Sequence, residues 1–162
     1  MNTMNKTHKI RWPALIICLL IPLAVSGLSG ILTAGSMDTF EALVKPPLTP
    51  PGIVFPIVWT ILFFLMGVSS YRIFVSGASR KTAALTVYGI QLVVNFLWSI
   101  FFFNLHLYLF SFFWLVFLWL LILLMLVLFF SIDKVAGWLQ VPYFVWVTFA
   151  GYLNLCIYFL NR

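Results

Sequence analysis

The sequence predicts an all-α integral membrane protein, a bundle of five transmembrane helices. Three observations carry that prediction. The chain has 162 residues, of which 64% are hydrophobic and 7% charged, and its mean hydropathy is +1.15. A soluble core of this size cannot bury so much apolar surface, so the bilayer is the solvent. Its apolar residues fall into five runs near the roughly 20 residues that a helix needs to span hydrocarbon. Charged residues gather between the runs. The predicted spans are 12–33, 51–75, 82–104, 107–131 and 136–160. So little chain is left over that residues 1–162 read as one domain without a soluble module.

The first span follows a basic flank, Lys6, Lys9 and Arg11. Its apolar stretch is long for a signal peptide and carries Pro22, so a retained helix is expected. Ser26 and Gly30 form a small-xxx-small pair, which favours close helix approach and also makes room for something bulky. Next comes the one sizeable connection, 34–50, with a short helical turn expected around Thr39–Leu43. It ends in Lys45-Pro46-Pro47-Leu48-Thr49-Pro50-Pro51. Proline fixes φ and removes an amide donor, so this stretch is neither helix interior nor central strand. In a membrane chain it must lie at the water interface or inside protein, and it is expected to be a lid. The second span opens directly after it with Phe55-Pro56-x-x-Trp59-Thr60.

The third span has the only mid-helix polar stripe, Gln91, Asn95 and Trp98, at i, i+4 and i+7 on one face. Intramembrane polar groups are costly unless paired or facing a cavity. Gln91 reads as interhelical glue; Asn95 fits glue and ligand contact alike. The fourth span is almost wholly apolar and is expected to face lipid, with Trp114 or Trp119 turned inward. In the fifth, Tyr143, Trp146, Ala150 and Asn154 share a face, either a pocket wall or ordinary packing. With short connections, successive spans are expected to be antiparallel neighbours.

The net charge of +6 does not imply nucleic acid. Lys6, Lys9, Arg11, Arg72, Arg80, Lys81 and Lys134 fall on one side of the predicted bundle, Lys45 and Arg162 on the other. The positive-inside rule puts the amino terminus in the cytoplasm and the carboxyl terminus outside. That favours a prokaryotic cytoplasmic membrane, with a bacterial or mitochondrial outer membrane as the alternative. Cys18 and Cys156 lie within spans and read as small buried residues, not as a disulfide or metal site. His8 and His106 read as interface residues. The acids, Asp38, Glu41 and Asp133, lie outside the spans. No catalytic triad, carboxylate pair, phosphate loop or metal cluster is visible, and no cofactor is required. The chemistry on offer is aromatic, suiting a large, flat, apolar ligand such as a tetrapyrrole or a sterol.

Four blocks stand in this order: Lys45-Pro46-Pro47-x-x-Pro50-Pro51, Phe55-Pro56-x-x-Trp59-Thr60, Gln91-x-x-x-Asn95-x-x-Trp98, and Pro142-Tyr143-x-x-Trp146-x-x-Phe149-Ala150-x-x-Leu153-Asn154. Together they resemble the TspO/MBR family of tryptophan-rich sensory and translocator proteins. The resemblance implies a five-helix bundle, usually a homodimer, with a pocket beneath the loop between the first two helices. It implies porphyrin, haem, sterol or benzodiazepine-type ligands, bound for sensing, sequestration or transport. Trp59 and Trp146 match tryptophans tied to porphyrin contact and to light-dependent porphyrin breakdown in some bacterial members. They are the catalytic residues if that activity is present. The remaining ligand-contact residues expected are Ser26, Phe40, Pro47, Phe55, Asn95, Trp98, Tyr143, Ala150 and Asn154. A third reading, of stripes that only glue helices in a structural or partner-binding protein, has no small-molecule ligand.

Several positions depart from the family pattern. Thr39-Phe40 stands where Trp-Tyr is common, Leu48 and Phe96 replace tryptophans, and Trp114 lies near the place of an acidic residue. These changes are expected to make the pocket less polar. Leu153, Tyr158 and Arg162 satisfy the loose cholesterol pattern, although an ordinary interfacial helix end explains them as well.

Overall fold

A computed structural model describes residues 10–162; Lys6, His8 and Lys9, read above as topology and interface residues, lie outside the described residues. Among these residues all regular structure is helical. Five helices are long and apolar enough to cross a membrane, as the sequence predicts.

α1 (Trp12–Thr33) runs unbroken through Pro22. It is prolonged by a tight turn, Ala34–Ser36, and by α2 (Met37–Ala42). The expected loop 34–50 is therefore half helix, and the irregular connection shrinks to 43–53. No proline bars helix between 34 and 42, whereas Pro46, Pro47, Pro50 and Pro51 forbid it further on. Within that connection Leu48 adopts φ 72° and is exposed.

α3 (Val54–Val75) starts as soon as the prolines end. α4 (Lys81–Ser99) continues into a wide helical turn, Ile100–Asn104, closed by Leu105 N–H donating to the Ile100 carbonyl at 3.0 Å. α5 (Tyr108–Ile132) is followed at once by α6 (Lys134–Leu160). α6 begins two residues before the expected 136 because Asp133 caps it. The Asp133 carboxylate accepts from the amides of Val135 (2.8 Å) and Ala136 (3.0 Å). Pro142 sits inside the helix.

The spans close into a ring in the order α1, α3, α6, α5, α4. This departs from simple succession: α3 packs chiefly on α1 and α6 and touches its sequence neighbour α4 only lightly. The close approach of α1 and α3 is made by Gly67, whose missing Cβ would lie 2.8 Å from Leu19 Cα and 2.9 Å from the Cys18 carbonyl. The small pair on α1 does not serve this contact, because Gly30 has open space where its Cβ would be. Cys18 and Cys156 are free thiols, each half-buried.

Both ends of the bundle are tied by side chains. At one end Arg72 pairs with Asp133 at 2.8 Å, and the Arg11 amide donates to the Tyr71 hydroxyl at 2.9 Å. At the other, Asn161 on the end of α6 holds the proline connection: its Oδ1 accepts from Val44 N–H and its Nδ2 donates to the Val44 carbonyl, both at 2.9 Å. Tyr152 adds a donor bond to the Pro47 carbonyl at 3.2 Å.

A candidate ligand cavity under the proline connection

The ring surrounds a partly open cavity of about 400 Å³ in the half of the bundle nearest the proline connection. α1, α3, α4 and α6 supply its walls and α2 its roof; no residue of α5 reaches it. α5 is not chiefly lipid-facing, contrary to the expectation for the fourth span: one face, from Ser111 to Phe129, is buried against its neighbours, and α1 is the least buried span. None of the lining side chains is charged.

Eight aromatic rings line the wall, and each is fixed by its neighbours. Phe40 on α2 closes the roof. It packs edge-on against Phe55 (6.2 Å) and Phe103 (5.3 Å), with the Lys45 ammonium 5.0 Å from its centroid. Trp59 leans on Phe63 at 5.6 Å, and Trp146 stands edge-on to Phe55 at 5.9 Å. Trp98 stacks on Phe102 at 5.4 Å. The wide turn at the end of α4 adds a residue to the helical register and so lets consecutive residues, Phe102 and Phe103, both face the cavity.

The polar groups are few and placed by hydrogen bonds. Trp98 Nε1 donates to Asn154 Oδ1 at 3.2 Å, and Asn154 Nδ2 donates to the Tyr108 carbonyl at 2.7 Å. Asn95 Nδ2 donates to the Tyr143 hydroxyl at 2.8 Å, which in turn donates to Gln91 Oε1 at 2.8 Å. Trp146 Nε1 is buried and has no partner among the described residues. Its ring separates the cavity from a wholly apolar groove on the outer face between α3 and α6.

Of the residues singled out from sequence, Ser26, Phe40, Phe55, Trp59, Asn95, Trp98, Trp146, Ala150 and Asn154 line this one cavity. Two do not. Pro47 is exposed and presents its carbonyl to Tyr152 on the outside of α6. Tyr143 is fully buried beneath Asn95, where it joins α4 to α6. Gln91 has the interhelical role its position suggests. Neither Trp114 nor Trp119 faces the cavity: their indoles donate to the Val94 carbonyl (2.8 Å) and the Thr148 hydroxyl (2.9 Å). Among the four departures from the family pattern only Phe40 reaches the cavity; Leu48, Phe96 and Trp114 lie outside it. From the cholesterol pattern, Leu153 lines the cavity but Tyr158 and Arg162 do not.

Sequence reasoning missed Ser29, Thr33, Ala34, Met37, Gly52, Phe63, Ser99, Phe102, Phe103 and Ile157. The signal for three of them was present. Ser29 and Thr33 extend the small face begun by Ser26, and Ser99 follows Asn95 by one turn. The register shift that brings in Phe103 has no such signature.

The model of the TspO/MBR family matches residues 18–160. A tryptophan-rich protein TspO of Archaeoglobus fulgidus is 36% identical over 148 residues, covering 91% of this chain and 96% of the relative. Protein CrtK of Rhodobacter capsulatus is 35% identical over 126 residues, 75% of this chain and 78% of the relative. The translocator protein of Bos taurus is 29% identical over 118 residues, 71% and 70% respectively. With five spanning helices and a match over most of its length, the chain belongs to the TspO/MBR family.

Proposed function

We propose that the cavity binds a flat, largely apolar ligand of the tetrapyrrole class, a sterol being the competing shape, for sensing, sequestration or transport. The coarser role follows from the family: a multi-pass membrane protein of the receptor and translocator type. The observation that carries the finer reading is the uncharged aromatic chamber of about 400 Å³, within the range of small-molecule sites. Trp59 and Trp146 supply faces for a conjugated ring. Lys45, seated over Phe40 at the roof, is already paired with Glu41 at 2.6 Å, so the preference for a conjugated macrocycle over a sterol rests on the aromatic faces and not on charge.

The test is quenching of tryptophan fluorescence by protoporphyrin IX in reconstituted vesicles. Saturable quenching is expected. An aromatic contact contributes about 0.5–1.5 kcal/mol beyond area burial, so Trp59→Phe with Trp146→Phe weakens binding by roughly tenfold. Unchanged affinity in the double variant refutes this site. Both indoles that the resemblance ties to light-dependent breakdown stand in the same cavity. Illumination of the complex therefore tests that second reading: new absorbing species beyond a protein-free control support it, and intact porphyrin rejects it. Arg11, Arg72 and Lys134 cluster around one end of the bundle, while Lys45 and Arg162 lie towards the other. This supports an amino terminus on the cytoplasmic face of a prokaryotic inner membrane. The homodimer that the resemblance implies is part of the same proposal.

A further inference from the structure

The cavity is partly open, and its own lining shows on which side. On α4 and α6, Asn95, Trp98, Phe102, Ala150, Leu153 and Asn154 are all buried. Facing them, Gly30 and Ala34 near the end of α1 and Pro56 and Thr60 near the start of α3 line the same cavity and yet are exposed. The opening is a gap between α1 and α3. Two close approaches frame it. At its lower edge Gly67 brings α3 against Leu19 and Cys18 of α1. At its upper edge α2 closes on the connection, where a Cβ on Gly52 would lie 2.8 Å from Glu41 Oε1. Between the two, Gly30 has open space at its Cβ position among the described residues, so the small residue there widens the gap instead of packing a helix.

The gap faces hydrocarbon. Thr60 stands six residues inside α3, about 9 Å along the helix axis. Leu28 and Ile31 on one rim and Ile57 and Ile61 on the other are exposed, which on spanning helices means contact with lipid tails. Hydroxyls at the gap are satisfied by their own helices: Thr60 donates to the Pro56 carbonyl and Thr33 to the Ser29 carbonyl, both at 2.8 Å. They therefore carry no unpaired donor into an apolar medium, where one would be costly. The route from water is shut by contrast. Phe40 is buried in the roof, and Asn161 and Tyr152 hold the proline connection to α6 with three hydrogen bonds.

We propose that the gap between α1 and α3 is a side doorway through which flat, apolar molecules dissolved in the bilayer enter and leave the cavity while the proline connection stays closed. The class of ligand rests on the proposed function; the doorway rests on the helices alone. An apolar molecule leaves water for the bilayer, so this route meets it where it is most concentrated.

The experiment needs no porphyrin, so failure of the doorway and failure of the ligand class are separate results. The full chain in phosphatidylcholine vesicles is photolabelled with an aryl diazirine dissolved in the bilayer, and the label is mapped by mass spectrometry. Trp98 and Phe102, on the wall opposite the gap, report entry; Phe129, fully buried on α5 and outside the cavity, is the reference. Several-fold more label on Trp98 and Phe102 than on Phe129 is expected; label at the Phe129 level overturns the proposal without recourse to any variant. Gly30→Leu with Thr60→Leu narrows the gap and is expected to cut the label on Trp98 and Phe102 several-fold, with label on the exposed Phe113 of α5 unchanged. Asn161→Ala loosens the roof and is expected to leave the cavity label as in wild type. Cavity label that survives the narrowed gap, or that rises several-fold in Asn161→Ala, places the entrance at the roof and overturns the proposal.

Discussion

Tyr143 lies on the face of α6 that suggests a cavity wall, and it bears on the cavity through Asn95. Its hydroxyl accepts from Asn95 and donates to Gln91, so one atom fixes both amides of the α4 stripe. Spacing placed these three groups on facing stripes. Spacing could not say that the hydroxyl would fall between the amides, because that depends on how the two helices are rotated. Interhelical hydrogen bonds in membranes contribute about 0.6 kcal/mol on average and up to about 1.7. Tyr143→Phe breaks two at once and leaves both amides short of a partner. The expected cost is about 1–3 kcal/mol, read as a lowered midpoint of thermal unfolding in detergent. Gln91→Leu in the Tyr143→Phe background should cost less than in the wild type, because the Gln91 carbonyl oxygen is then already unpaired.

At the scale of elements, long apolar runs made the five spans legible to within a few residues. Their ends were less so. The start of α6 depends on Asp133, which the sequence offers only as a charged residue in a short connection. Burial pushes the Asp133 carboxyl up, but the amides of Ala136 and Val135 and the Arg72 guanidinium outweigh it and hold it below the ordinary 3.8. A folded-state pKa below the unfolded one gives stability that is complete above the unfolded value and lost as pH falls through the folded one. The cap and ion pair should therefore hold undiminished above about pH 5 and fade below the ordinary carboxylate range. Arg72 is 40% exposed, so solvent screens the ion pair and the cap supplies most of the effect, about 1 kcal/mol. Asp133→Ala is expected to unfold more readily than wild type near neutral pH. The gap should close in acid; a gap that persists with Asp133 protonated would mean that the carboxylate is not its source.

For the whole molecule, the sequence identifies the bundle but not its ring order, which is a property of pairwise packing. Two glycines illustrate this. Gly30, in the conspicuous small pair of α1, faces the cavity and touches nothing at its Cβ position. Gly67, in an unremarkable stretch of α3, is the residue that lets α1 come close. α1 is the least buried of the spans, so this crossing is a principal anchor for the wall carrying Ser26, Ser29 and Thr33. Gly67→Ala sets a methyl against backbone atoms of α1, where no side chain can turn aside. Overpacking of this kind costs about 1–3 kcal/mol, and here it also pushes one cavity wall outward. Gly30→Ala puts the same methyl into the chamber. The first change should lower the thermal midpoint and the affinity for protoporphyrin IX together. The second should alter affinity alone, with the midpoint within the spread of wild-type measurements. Equal loss of stability in the two variants would show that α1 is held elsewhere and that the cavity does not depend on the Gly67 crossing.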